Sequence, residues 1–252
     1  MSATPGERLA AHLEVSEAPR AGVGRVVAAW SVHLFTASGA VIAFLAWRAI
    51  SAGRFGDAFR WLMVAMAIDC IDGTLARAVA VKRVLPWFDG TKLDDIIDYL
   101  TYVMLPVVLL YEAHLLPNGG GGLACAAAML LASAYGFCRT DAKTADHYFR
   151  GFPSYWNVFA FYAFALPLSR GATALWIAAL TLLVFAPLKF LYPSRAPYFR
   201  GLSIGLGAVW GMLMIAAIWM APASPPALVW ASLLYPAYYA GMSLWLQATG
   251  RA

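Results

Sequence analysis

Six of the thirteen acidic residues fall within one stretch: Asp69, Asp72, Asp89, Asp94, Asp95 and Asp98. The surrounding chain is poor in charge, with 12% charged and 62% hydrophobic residues. Carboxylates grouped in apolar surroundings repel one another and lose hydration, so such a group needs cations to neutralise it. The spacing shows how they could share one. Asp69 and Asp72 stand three apart, and Asp94 and Asp98 four apart, so each pair occupies one helical face. Two antiparallel helices bring both pairs to the same end and form an oxygen-rich cage. That ligand set suits hard divalent cations, Mn²⁺ or Mg²⁺, and has room for two ions. No Cys/His grouping competes for zinc. Gly73 and Ala76 continue the face of the first pair and leave space, and Arg77 presents a fork of donors for phosphate. Metals beside an arginine at a membrane boundary predict a phosphate-bearing ligand with a lipid tail. The rival reading is a set of ion pairs or a cation pathway; acids outnumber nearby bases and sit at one depth, which argues against it.

The elements that position these residues follow from composition. A soluble domain carries about 25% charged residues, twice the share found here. The chain of 252 residues is therefore read as an all-α polytopic membrane protein, not as a disordered, nucleic-acid-binding or disulfide-built one. Its three cysteines, Cys70, Cys125 and Cys138, give no even framework and lie in apolar stretches. A bilayer-spanning helix needs about 20 apolar residues. Val26–Trp47 is free of charge, and so is the run from 201 to 250 apart from a turn at 221–226. A single bundle of about eight transmembrane helices results, placed at 27–48, 58–79, 93–115, 120–139, 154–169, 172–190, 202–221 and 226–247. No strand pattern or long-period repeat is visible. The polar residues before 25 hold a segment, Glu7–Glu14, readable as a surface-lying amphipathic helix or as a tail.

Orientation follows from Lys and Arg. With the N-terminus inside, fourteen of the eighteen fall on the inner side, Arg25, Arg77, Arg139, Lys189 and Arg195 among them. Arg48, Arg54, Arg60 and Arg170 fall outside. Both termini and the acidic site are thus expected on the cytoplasmic side of the membrane. The first outer loop, with three of those four arginines, fits this rule least well.

The string Asp69-x2-Asp72-Gly73-x2-Ala76-Arg77-x12-Gly90-x3-Asp94-x3-Asp98 resembles the signature of the CDP-alcohol phosphatidyltransferases. The usual pattern has a shorter spacer than the twelve residues, Ala78 to Asp89, found here. The longer spacer is similar to that of the bacterial phosphatidylcholine synthase branch. Two further segments look like that branch: Gly151-Phe-Pro-Ser-Tyr-Trp-Asn157 and Trp30-Ser-Val-His-Leu-Phe-Thr36. The resemblance implies one membrane domain over 1–252, with residues 1–25 as a cytoplasmic segment, 26–200 as a six-helix catalytic core and 201–252 as two additional helices. It implies that Asp69, Asp72 and Asp94 bind the metals, and that Asp98 joins them and acts as general base. Gly73, Ala76 and Arg77 would bind the CDP moiety of CDP-diacylglycerol. His33 and Thr36 stand where the family often has Asn-x-x-Thr near the nucleotide; a hydrogen-bonded interior histidine is the competing reading of His33.

The acceptor implied is choline, whose quaternary ammonium donates no hydrogen bonds and is usually held by aromatic faces. Tyr148, Phe149, Phe152, Tyr155 and Trp156 lie together on the inner side, and Tyr99 follows Asp98. Interface anchoring competes for each of them. Gly201, Gly205, Gly207 and Gly211 form small-residue spacings that suit internal packing or a homodimer seam. Two rival functions remain. A sister transferase would share every motif residue and take serine, inositol phosphate or glycerol phosphate. A transporter would carry its acids along a path at mid-membrane.

Overall fold

The computed structural model describes residues 22–142, 144, 148–191 and 198–249. The Glu7–Glu14 segment and Arg195 lie outside them. Helix α1, Val23–Ser51, runs for 29 residues. At 1.5 Å per residue it is about 43 Å long, enough to cross a hydrocarbon core of about 30 Å. It packs most extensively on α2, Phe55–Val79. After a single turn, α3 (Val81–Val84), the chain enters α4, Gly90–Asp98. A π-helical segment, Tyr99–Met104, follows, and then α5, Leu105–Glu112. Next come α6 (Gly120–Cys138), β1 (Tyr148–Arg150), α7 (Trp156–Ala165), α8 (Arg170–Phe185) and β2 (Lys189–Leu191). The described chain ends with α9 (Arg200–Trp219), α10 (Pro226–Ser232) and α11 (Leu234–Ala248).

Among the described residues, three helices are long and apolar enough to cross a membrane: α1, α6 and α9. Helix α2 has the length, but Asp57, Arg60, Asp69, Asp72 and Arg77 make it polar at both ends. The structure departs from the eight-helix reading in three places, each at a proline. The helix expected at 93–115 begins at Gly90 and is interrupted by the π segment. Pro106 has no N–H to give the Tyr102 carbonyl, and its ring pushes that carbonyl aside, so the turns before it widen. The last helix is divided at Leu233 because Pro236 denies the Ser232 carbonyl its partner. The helix expected at 172–190 stops at Phe185, since Pro187 holds Ala186 in extended backbone.

Beyond Pro187 the chain corrects the purely helical expectation. Residues 189–191 pair antiparallel with 148–150, Tyr148 opposite Leu191 and Arg150 opposite Lys189. Three-residue strands are too short for alternation to show in sequence. The ladder ties two loops together and holds them to α11: Lys189 N–H donates to Gln247 Oε1 (2.9 Å), and Leu191 N–H to Ser243 Oγ (3.0 Å). Beside it, Asp141 accepts from Arg139 (2.8 Å) and Arg150 (2.7 Å). The hydrogen bond from Arg139, reinforced by the charges of both arginines, lowers the exposed Asp141 carboxyl to a pKa of about 2.

One hydrophobic cluster runs through most of the bundle, from Ala43 and Ile50 through Leu62, Val103, Leu109 and Phe161 to Met214, Ile218 and Val229. The last helices therefore share the core of the others. At the end away from the acids, Arg60 pairs with Asp57 (2.6 Å) and donates to the carbonyls of Trp219 (2.8 Å) and Ala221 (2.9 Å). Arg170 donates to the His114 carbonyl (3.0 Å) and Asn118 Oδ1 (2.6 Å). These are two of the four arginines that the orientation rule places outside. They bind loop carbonyls, and Asp57 offsets the charge of Arg54 and Arg60.

Candidate active site

Both α2 and α4 pack on α1, and carboxylates from the end of α2 and from α4 converge beside it. Asp89 fixes where α4 begins: its carboxylate accepts from the N–H groups of Thr91 (3.1 Å) and Lys92 (3.2 Å) as an N-cap. Asp94 and Asp98 then share a face that looks onto Asp69. One carboxylate oxygen from each of Asp69, Asp94 and Asp98 lies within 4.8 Å of the others, and all three residues are half-buried. Oxygens bound at about 2.1 Å to a Mg²⁺ stand about 3–4 Å apart. The chemistry of the three carboxylates, oxygen without sulfur or imidazole, suits such a cation.

The grouping leaves out Asp72, which is 5% exposed and accepts a hydrogen bond from Thr36 Oγ1 at 2.8 Å. The structure thus brings Thr36 into the site through Asp72. Arg77 stands exposed at the rim. Its guanidinium folds back over Gly73 and donates to Thr74 Oγ1 at 2.9 Å. A methyl group at position 73 would stand 3.3 Å from Arg77 Nη1, so the missing side chain makes room for the arginine. Ala76 packs with Val81 and Leu85 below that rim. His33 is 5% exposed and lies between Phe88 (4.4 Å between ring centroids) and Trp30 (5.9 Å). Its Nε2 has no hydrogen-bond partner among the described residues.

The aromatic candidates separate. Trp156 is fully enclosed, its indole N–H donating to Ser133 Oγ at 2.8 Å and its ring edge-on to Phe152 (5.2 Å). Tyr99 turns to α6 and donates to the Leu130 carbonyl (3.0 Å). Tyr148 is buried on β1, with Lys189 Nζ 5.6 Å from its ring centre. The Tyr155 ring lies 6.1 Å from that of Tyr102, tilted by 49°.

No protein-family profile matches the chain. Curated relatives do. A phosphatidylcholine synthase of Pseudomonas aeruginosa is 41% identical over 223 residues, 87% of this chain and 92% of the relative. Those of Rhizobium meliloti (38%, over 79% of this chain and 83% of the relative) and Borreliella burgdorferi (34%, over 87% and 93%) also match. The chain belongs to the phosphatidylcholine synthase family.

In this member of the phosphatidylcholine synthase family, Tyr102 is the neighbour of the acids that the sequence reading missed. Its hydroxyl donates to Asp69 Oδ2 at 2.8 Å, and its side chain is buried. The four-residue spacing Asp94, Asp98, Tyr102 is the signal that could have found it. Gly39 was missed as well: a Cβ there would meet Ile97 Cγ2 at 2.5 Å, so α1 and α4 touch at that point. Gly90 serves a related purpose, since a Cβ would stand 2.6 Å from His33 Cε1 and 3.1 Å from Nδ1. The His33 ring is confined by Phe88 and Trp30, so it cannot simply swing away. Gly90→Ala is expected to cost about 1–3 kcal/mol of stability by overpacking and to lower activity. Combining it with His33→Ala should restore the melting temperature of the detergent-solubilised protein. An unchanged melting temperature in the single variant would contradict the contact.

Proposed function

We propose that the protein transfers the phosphatidyl group of CDP-diacylglycerol to choline and releases CMP, as one of the CDP-alcohol phosphatidyltransferases. The observation that carries this reading is the gathering of Asp69, Asp94 and Asp98 at one end of an apolar bundle in a chain of the phosphatidylcholine synthase family. Asp69, Asp72, Asp94 and Asp98 would hold the divalent cation, Mn²⁺ or Mg²⁺, as two ions once Asp72 joins. A cation held by these residues would supply positive charge to neutralise the pyrophosphate and the charge that develops on departing CMP.

The chain's own groups do the rest. Asp98 accepts the proton of the choline hydroxyl as its oxygen bonds to the phosphorus that bears diacylglycerol. The bond from that phosphorus to the CMP oxygen breaks, and CMP leaves. Tyr102 holds the Asp69 carboxylate by its hydrogen bond, and Thr36 does the same for Asp72. Arg77, at the rim, meets the phosphates, with Gly73 and Ala76 leaving the approach open. His33 Nε2, which has no hydrogen-bond partner among the described residues, would face the nucleotide. The acyl chains stay in lipid, alongside helices whose outer surfaces are apolar.

The same reading takes the chain as one membrane domain of eight spans with both termini and the acids on the cytoplasmic face of the inner membrane. The test is a screen of acceptors. Purified protein with CDP-diacylglycerol and Mn²⁺ should release CMP with choline and not with serine, inositol phosphate or glycerol 3-phosphate. Release with one of those alcohols and none with choline would overturn the acceptor. No release with any of them would overturn the transferase reading.

A further inference from the structure

The helix that carries Asp94 and Asp98 changes its winding immediately after them. Over Tyr99–Met104 it is π-helical, and the Leu105 N–H bonds back to the Leu100 carbonyl, one residue further than in an α-helix. Such segments are rare and gather at functional sites. Pro106 accounts for this one, since it has no N–H for the Tyr102 carbonyl. The widened turns are tied down from within and from outside. Thr101 Oγ1 donates to the Ile97 carbonyl (3.0 Å), and Ile97 sits where Gly39 lets α1 come close. The Tyr99 hydroxyl donates to the Leu130 carbonyl of α6 (3.0 Å). In the same segment Tyr102 is 7% exposed, and its hydroxyl donates to Asp69 Oδ2 (2.8 Å).

The winding decides which face Tyr102 occupies. In an α-helix a residue four places on has overshot the first one's face by about 40°. Counted from Asp94, Tyr102 in a continuous α-helix would have drifted by about 80°. A π turn holds more residues, so each turns the chain less, and part of that drift is taken back. Tyr102 thereby stays near the acids' face and reaches across to Asp69 on α2. Its ring is braced by that of Tyr155 at 6.1 Å, so the hydroxyl is presented from a fixed place. A phenylalanine would fill the same space, so the hydroxyl is the part that packing does not require. A donor fixed on a cation-binding carboxylate orients it, and losing such a donor typically costs about 10–100-fold in metal affinity.

We propose that Tyr102 and Pro106 are positioning residues of the cation site. Pro106 widens the helix, the widened turns carry Tyr102 to Asp69, and the hydrogen bond sets that carboxylate for the ion it shares with Asp94 and Asp98. The inference rests on the reading of these acids as a divalent-cation site given above. Pro106 lies about two turns beyond Asp98, outside the motif string that ends there, so the motif alone does not complete the site.

The test is Mn²⁺ binding to the purified full-length protein without substrate, followed by electron paramagnetic resonance of the free ion, alongside a melting curve without metal. Tyr102→Phe, which removes only the hydroxyl, should weaken Mn²⁺ binding about 10–100-fold. Pro106→Ala, which restores an N–H for the Tyr102 carbonyl, should weaken it to a similar degree. Pro106→Val restores the N–H in a second way and serves if the alanine variant does not fold. The double variant should bind no more weakly than the poorer single variant, because both act through one hydrogen bond. A merely structural tyrosine would lower the melting temperature and leave the Mn²⁺ affinity as it was, and that result for Tyr102→Phe would overturn the inference. Wild-type affinity in the Pro106 variants, or losses that multiply in the double variant, would overturn the part given to the proline. A wild-type protein that binds no Mn²⁺ would refute the cation reading itself and the inference with it.

Discussion

Replacing Asp98 by Asn is expected to lower CMP release at least about a thousandfold, since general-base contributions alone reach about 10²–10⁴. Asp98 is asked to do two things, to share a cation with Asp69 and Asp94 and to accept the acceptor's proton. An amide is a poor substitute in both roles. It keeps the shape of the side chain, so the packing of α4 on α1 through Ile97 and Gly39 is untouched. It also removes one of three mutually repelling charges, so thermal stability without metal should stay the same or rise. The measurement is CMP release alongside a melting curve. Loss of both together would mean that Asp98 is structural, and full activity would remove it from the chemistry.

The second large effect concerns Trp156. Sequence reasoning places it among the candidates for holding choline, whereas the structure encloses it in the core. Its indole N–H is bonded to Ser133, which is itself fully buried, and its ring meets Phe152 and Phe159 edge-on. Trp156→Ala is expected to cost about 3–5 kcal/mol, the usual result of removing a large buried aromatic. Trp156→Phe refills most of the volume but leaves the Ser133 hydroxyl without its donor, at about 1–3 kcal/mol. The Phe variant should melt lower than wild type and keep its KM for choline. A choline KM that rises in the Phe variant without a stability change would return Trp156 to the acceptor site.

These two residues mark where the sequence was legible. The acids could be read because polar residues in an apolar helix stand out, and because the four-residue spacing of Asp94 and Asp98 translates into a shared face; Asp72, three residues after Asp69, turns to Thr36 instead. Thr36, taken from a motif likeness, proved to bond Asp72. The aromatics could not be sorted, because position in sequence says nothing about which way a ring turns. Tyr155 and Trp156 are neighbours, yet one adjoins Tyr102 and the other is sealed against Ser133. Tyr102 escaped notice because a tyrosine in an apolar helix looks like an anchor. Its hydrogen bond to Asp69 depends on long-range packing of α2 against the π segment. The β ladder and the arginine-bound loops were hidden for the same reason. Each rests on partners more than thirty residues away, such as Lys189 with Gln247 and Arg60 with Trp219.

The central claim is that the acidic cluster uses a divalent cation to join choline to a phosphatidyl group. The most direct measurement supplies labelled choline and CDP-diacylglycerol to the purified protein and counts label in extracted lipid against CMP released, with and without a chelator. The account predicts one labelled phosphatidylcholine for each CMP, abolition of both by the chelator, and recovery of both on adding Mn²⁺ or Mg²⁺. Choline incorporation that continues at full rate in chelator, or CMP release with no label in lipid, would contradict it.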